Sequence, residues 1–152
     1  MSSESIVTAL FLISAVIAAG VLITAIFPAI YRTADTFGSA SHEADVQMRT
    51  DIKIVNYFYS GSSGNVWLKN IGSYRIGTSE LDESDIFYGP SGEPFTHTTL
   101  GDVAYTVTGD FWDQGETLTI PIDSISVAPG DPIYFAIVLP NGVRRSVEFA
   151  AD

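Results

Sequence analysis

The chain has 152 residues, 46 % of them hydrophobic and 16 % charged, with a formal net charge of −11 at neutral pH. Soluble domains carry roughly 25 % charged residues, and the deficit falls in one place, because the 27 positions from Ser5 to Tyr31 hold no Asp, Glu, Lys or Arg. This balance excludes a simple cytosolic enzyme and a nucleic-acid binder, which phosphate would repel, and the absence of Cys excludes a disulfide framework, a thiolate metal site and a cysteine nucleophile.

The uncharged block comes first. As a helix, at about 1.5 Å per residue, it reaches roughly 40 Å, longer than the roughly 30 Å apolar core of a bilayer. Its mid-span polar residues, Ser14 and Thr24, can bond back to the helix's own carbonyls. A cleaved secretory signal would start basic and carry a shorter apolar core, whereas here Glu4 precedes the block. A buried core helix is too short an element to explain it. The block therefore predicts a transmembrane helix over residues 1–31. Arg32 and Arg49 follow it; by the positive-inside rule they draw the C-terminal flank toward the cytoplasm, but long domains translocate largely regardless of charge.

Residues 32–50 predict a helical stalk. Ile30, Ala34, Phe37, Ser41, Ala44 and Met48 recur at heptad-like spacing and form a thin stripe. It reads as the face of a spacer or, alternatively, as a seam for another helix.

After Thr50 the period changes to two. Strands are predicted at Ile52–Tyr59, Val66–Lys69, Asp85–Tyr88, Pro94–Thr99, Ala104–Thr108, Thr117–Ile122, Ile133–Leu139 and Val143–Phe149. Gly- and Pro-containing turns separate them, and Asn141-Gly142 between two apolar runs is a strong hairpin signal. Short strands with frequent turns predict an all-β, Ig-like β-sandwich over residues 51–152, preceded by the long helix. Trp67, Trp112, Phe58, Phe135 and Leu118 are the expected large core residues, an aromatic cofactor site being the alternative for the two tryptophans. The final hairpin and the Asp85–Thr99 hairpin are expected to offer strand edges for self-association, neither carrying an edge-blocking lysine.

Chemistry-bearing patterns are sparse. The histidines are His42, in the stalk, and His97, in or beside a strand. Glu80, Asp82, Glu83 and Asp85 crowd four carboxylates into six residues; their spacing is not that of an EF-hand, so a solvated acidic loop is expected over a cation site. No P-loop, dinucleotide fingerprint, nucleophile elbow or HExxH sequence occurs. No catalytic, cofactor-binding or metal residue is therefore named, no cofactor is expected, and the chain is read as a non-enzyme. Asn56, Asn65, Asn70 and Asn141 all lack Ser or Thr two places on, so N-linked sugar is not expected.

Several local sequences resemble archaellum proteins of the FlaG/FlaF group. They are MRTDIKIVN at Met48–Asn56, GNVWLKNIGSYRI at Gly64–Ile76 with its Lys69–Ser73 turn, WDQGETLTI at Trp112–Ile120 and VLPNGV before the closing strand. The resemblance implies a membrane-anchored structural part of the archaeal swimming machinery. Filament archaellins of this kin carry a short basic leader ending in Lys/Arg-Gly and are commonly N-glycosylated. The opening Met1-Ser2-Ser3-Glu4 and the missing sequons depart from that pattern, so the resemblance implies an accessory protein with a retained helix, FlaG favoured over FlaF. It further implies an extracytoplasmic sandwich, single-pass in the archaeal membrane, acting as a stator element. Its expected partners are the membrane, a FlaF-like or FlaG-like accessory protein, the S-layer and further copies of itself. A filament-forming archaellin or type IV pilin-like subunit is the alternative; an anchored enzyme or carbohydrate-binding sandwich, and a sensor ectodomain, are more distant ones.

Overall fold

A computed structural model describes residues 2–152. They form two units, one through His42 and one from Glu43 to Asp152. The first consists of the helix α1, which spans Ser3–Arg49 and ends inside the second unit. None of its residues is buried. Thr24 and Thr33 bond their hydroxyls to the carbonyls of Gly20 and Ala29 at 2.8 Å, so these polar groups are satisfied within the helix. Among the described residues, this is the one helix long and apolar enough to cross a membrane.

The second unit holds nine strands: β1 (Ile52–Ser60), β2 (Ser63–Asn70), β3 (Ile76–Gly77), β4 (Asp85–Pro90), β5 (Thr96–Thr99), β6 (Phe111–Trp112), β7 (Thr117–Asp123), β8 (Pro132–Val138) and β9 (Arg144–Ala150). A short helix, α2, covers Thr78–Asp82. All pairing is antiparallel. One sheet runs β1-β2-β7, the other β5-β4-β8-β9, and β3-β6 form a small third ladder. Val66, Leu68, Leu118, Ile120 and Ile122 of the first sheet and Ile86, Ile133, Phe135, Ile137 and Phe149 of the second share one buried cluster. This is the Ig-like sandwich that the alternation of apolar residues predicts.

Three features depart from the expectation. A bulge between Ile54 and Asn56 shifts the register of β1 on β2. Because the side-chain period is two, the extra residue Val55 reverses the facing of everything after it. Tyr59 is consequently fully buried, and Phe58, expected in the core, is 47 % exposed. Trp67 is also not a core residue. Val66 and Leu68 point inward at 0 % exposure, and strand parity turns Trp67 between them to the outer face. Ala104–Thr108 is not a continuous strand; it touches β7 through a single bridge, Thr106 to Thr119. Trp112, Phe135 and Leu118 are fully buried as expected.

The end of α1 belongs to the sandwich. The last carbonyls of a helix have no partners within it, and here the turn after β2 supplies two donors to the final one, that of Arg49. The amides of Ser73 and Tyr74 donate to Arg49 O at 2.9 and 3.1 Å, and those of Ile71 and Gly72 donate to Asp51 O at 2.9 Å. Asn70 holds this turn in shape. It is fully buried, donates Nδ2 to Tyr74 O and Trp112 O at 2.9 Å, and accepts the Gly72 amide at 3.0 Å. A side chain at Gly72 does not fit, since its Cβ would lie 2.3 Å from Arg49 O and 2.4 Å from Asp51 N. From the other side, Asn141 donates to Thr50 Oγ1 at 2.9 Å and accepts Gln47 Nε2 on its carbonyl at 2.8 Å.

A soluble fragment therefore needs this helix end. Starting at Asp51 instead of Glu43 removes four of these hydrogen bonds, at roughly 1 kcal/mol each. Urea unfolding of the two fragments is expected to show the Glu43 start more stable by about 2–4 kcal/mol. Equal stability would show the helix end to be a passive extension.

Candidate functional site

The carboxylate-rich segment disperses once folded. Glu80, in α2, accepts the Tyr74 hydroxyl at 2.9 Å and the Gly77 amide at 3.1 Å. Asp82 accepts the Tyr105 hydroxyl at 2.8 Å, and Asp85, at the start of β4, faces His97 Nε2 at 2.8 Å. Each thus serves a separate local bond, and among the described residues no three His, Cys, Asp or Glu side chains gather as a metal site. His97 also stacks on Phe87 with ring centroids 4.7 Å apart. His42 sits on the exposed part of α1, in the other unit from His97.

The titratable groups that shift are tyrosines. Burial raises the Tyr59 hydroxyl, opposed by its bond to Ile125; that hydroxyl donates to Ile125 O at 2.7 Å and accepts the Ile125 amide at 2.9 Å. The hydrogen bond to Glu80, then burial, raises Tyr74. Tyr105 is pushed up to about 12, by burial first and then by its bond to the Asp82 carboxylate. Tyr134 moves down, drawn by hydrogen bonds from Ser146 and Arg144 and by the arginine's charge. These are the signatures of structural pins and create no acid–base pair.

What the geometry offers is surface. The two expected hairpins both reach sheet edges, since β5 and β9 are the outermost strands of the four-stranded sheet. The first sheet ends in β1, where Val55, Tyr57 and Phe58 are 45–47 % exposed. A shallow groove of about 330 Å³ runs beside it, with Ile54, Ile71 and Val147 in its lining. Tyr57 stacks on Phe149 of β9 at 4.5 Å, and Arg145 donates Nε to Ile52 O at 2.9 Å and pairs with Asp51. Sequence reasoning missed this aromatic rim because the bulge that exposes it leaves no mark in the residue pattern.

The archaeal-type flagellin family profile matches residues 2–149. The chain belongs to the archaeal-type flagellin family. It is accordingly an archaellum-related structural protein. An uncharacterized protein of Archaeoglobus fulgidus is 33 % identical, the match covering 99 % of each chain. Among solved structures, the archaellum periplasmic stator protein FlaG from Sulfolobus acidocaldarius is 23 % identical, over 66 % of this chain and 99 % of that one, with a TM-score of 0.54. The archaeal flagellum of Methanospirillum hungatei strain JF1 is 14 % identical, over 100 % of this chain and 94 % of that one, with a TM-score of 0.75. Both likenesses establish the fold.

The tyrosine pins give a pH dependence. Above the ordinary phenol value of 10.0, Tyr105 in the unfolded chain loses its proton, whereas the folded group keeps it to about 12. The folded state then binds more protons, so stability falls as pH rises through that window. Tyr59 and Tyr74 act in the same sense, Tyr134 in the opposite one. Urea titrations of the Glu43–Asp152 fragment at rising alkaline pH are expected to show this loss, and Tyr105→Phe is expected to shallow it. An unchanged slope in that variant would remove Tyr105 as a cause.

Proposed function

We propose that the chain is a membrane-anchored stator element of the archaellum. In this reading residues 1–31 cross the membrane, 32–50 form a stalk, and 51–152 stand outside the cytoplasm. There the sandwich self-assembles or joins the motor to an accessory protein of the FlaF or FlaG type and to the S-layer. No bond-making chemistry is assigned to it. The observation that carries the reading is the junction: a helix with a long uncharged run whose final carbonyl, that of Arg49, is bonded into the sandwich by Ser73 and Tyr74. A static part of a rotary motor must resist torque, and a lone membrane helix drifts laterally. A sandwich bonded to its anchor can pass force from an envelope contact to the membrane. The solved stator protein of Sulfolobus acidocaldarius shares this sandwich, which supports the reading.

The alternative is a filament subunit. The helix-plus-sandwich plan shared with the Methanospirillum hungatei flagellum over the whole chain favours it. Shearing filaments from cells separates the two. A stator element stays with the membrane fraction, and cells lacking it still build filaments but do not swim. Recovery of the chain in the sheared filaments, or loss of filaments with loss of the chain, would assign it to the filament.

A further inference from the structure

The hairpin turn that grips the helix end also carries a chemistry of its own. Of the asparagines, Asn56, Asn65 and Asn70 precede Tyr57, Val66 and Ile71, whose side chains crowd the next main-chain nitrogen, and Asn141 alone precedes Gly. An unhindered nitrogen beside an Asn carboxamide can attack it. The Gly142 nitrogen gives up its proton and bonds to Cγ of Asn141, the Cγ–Nδ2 bond breaks, and ammonia leaves. Water then opens the cyclic imide. Opening on the Cγ side leaves Asp. Opening on the main-chain carbonyl side leaves isoaspartate, with the backbone rerouted through Cγ and longer by one methylene.

The fold requires both members of this pair. Leu139 N donates to Val143 O and Gly142 N to Leu139 O, each at 2.9 Å, which closes β8 onto β9 with the three-residue loop Pro140-Asn141-Gly142. Loops of this length end on a residue at positive φ, and Gly142 stands at 83°, where a side chain is strained. A Cβ there would also lie 3.2 Å from Gln47 Nε2. Asn141 in turn supplies the donor to Thr50 Oγ1 and the acceptor for the Val143 amide.

The same bonds hold the reaction off. Attack needs the carboxamide to swing onto the Gly142 nitrogen and that nitrogen to be free. In the fold Nδ2 is held on Thr50 at 2.9 Å, Oδ1 accepts the Val143 amide at 3.1 Å, and the Gly142 N–H is spent on Leu139 O. Two of these restraints lie within the hairpin. The third comes from the helix end. Thr50 is itself fixed there, its amide and its hydroxyl both donating to Val46 O at 3.0 and 2.7 Å, and Gln47 steadies the Asn141 main-chain carbonyl at 2.8 Å.

We propose that Asn141 is a deamidation site guarded by the helix end, and that its conversion to isoaspartate unfastens the helix end from the β8–β9 hairpin. Both halves follow from one set of bonds. While the helix end is seated, Thr50 and Gln47 keep Asn141 from attack. Once the residue has reacted, Nδ2 is gone, Thr50 Oγ1 has lost its donor, and the added methylene displaces the carbonyl that Gln47 holds. The bonds from Ser73 and Tyr74 to Arg49 O are outside the reaction, so the junction loosens on one side. The modification is independent of the stator reading and applies equally to a filament subunit.

The test is peptide mapping by mass spectrometry of the full chain in detergent, held in warm, mildly alkaline buffer beside a synthetic peptide of residues 138–145. The folded chain is expected to deamidate at Asn141 about tenfold more slowly than the peptide, a factor of the size that one or two net hydrogen bonds confer. Thr50→Val removes the hydroxyl at nearly constant volume and is expected to raise the rate about fivefold, while Thr50→Ser keeps the wild-type rate. Tyr105→Phe, which loses a bond elsewhere, is expected to leave the rate unchanged. A folded chain as fast as the peptide, or an unchanged rate in Thr50→Val, overturns the guard. Equal acceleration in Tyr105→Phe overturns it too, because the reaction would then follow general unfolding. For the second half, the converted wild-type chain is separated by charge and its amide exchange measured. The Thr50 amide is expected to exchange about tenfold faster, the loss of about one to two hydrogen bonds, with Val66 and Leu68 unchanged. Asn141→Ser aged for the same time is expected to show no such change. Unaltered exchange at Thr50 in the converted chain, or equal acceleration in aged Asn141→Ser, overturns the unfastening.

Discussion

A helix that ends on a globular body must find donors for its last carbonyls, and the way this chain finds them organises the domain. Arg49 O, the helix's final carbonyl, takes two amides, and Asp51 O, two residues past the helix, takes two more, all from the five-residue stretch Asn70–Tyr74. That stretch keeps its shape because Asn70 is fully buried and spends its amide on Tyr74 O, Trp112 O and the Gly72 amide. The same residue ends β2 and, through its main chain, reaches Glu116 and Gly115 just before β7. One buried amide therefore joins the helix end, the middle strand of the first sheet and the β6–β7 connection. Buried polar networks of this kind are costly when half satisfied, which ties the helix end and the sheet into one cooperative piece.

In the proposed reading the chain works by mechanics. Carboxylates, histidine and tyrosines that could form a reactive centre are instead spread out as pins, Glu80 on Tyr74, Asp82 on Tyr105 and Asp85 on His97. The exposed aromatic surface lies on β1, where the bulge at Val55 sets Phe58 on the same outer face as Trp67. The apolar helix, its junction and the aromatic rim of β1 follow one another along the first half of the chain.

Much of this was legible in the residues. The uncharged run from Ser5 to Tyr31 marks the apolar helix, and period-two patterning marks seven of the nine strands. The errors have local causes. Counting alternation straight through Ile52–Tyr59 places Phe58 inside, because nothing in Ile54-Val55-Asn56 announces an extra residue. Ranking candidates by size chose Trp67, where parity between Val66 and Leu68 decides. The ladder of β3 and β6 is two residues long on each side, too short for any period to register. The Lys69–Ser73 turn was visible as a resemblance, but its work on the helix end needs the distance from Gly72 to Arg49, which no one-dimensional pattern holds.

The central claim is that the helix end and the sandwich are a single cooperative structure joined at Asn70–Tyr74. Amide hydrogen exchange in the full chain tests it most directly. The amides of Ile71, Gly72, Ser73 and Tyr74 belong to a turn, and turn amides ordinarily exchange early. The account predicts that they exchange as slowly as those of Val66 and Leu68 in β2, opening only with the whole domain. Exchange at the rate of an exposed loop, with β2 still protected, would contradict it.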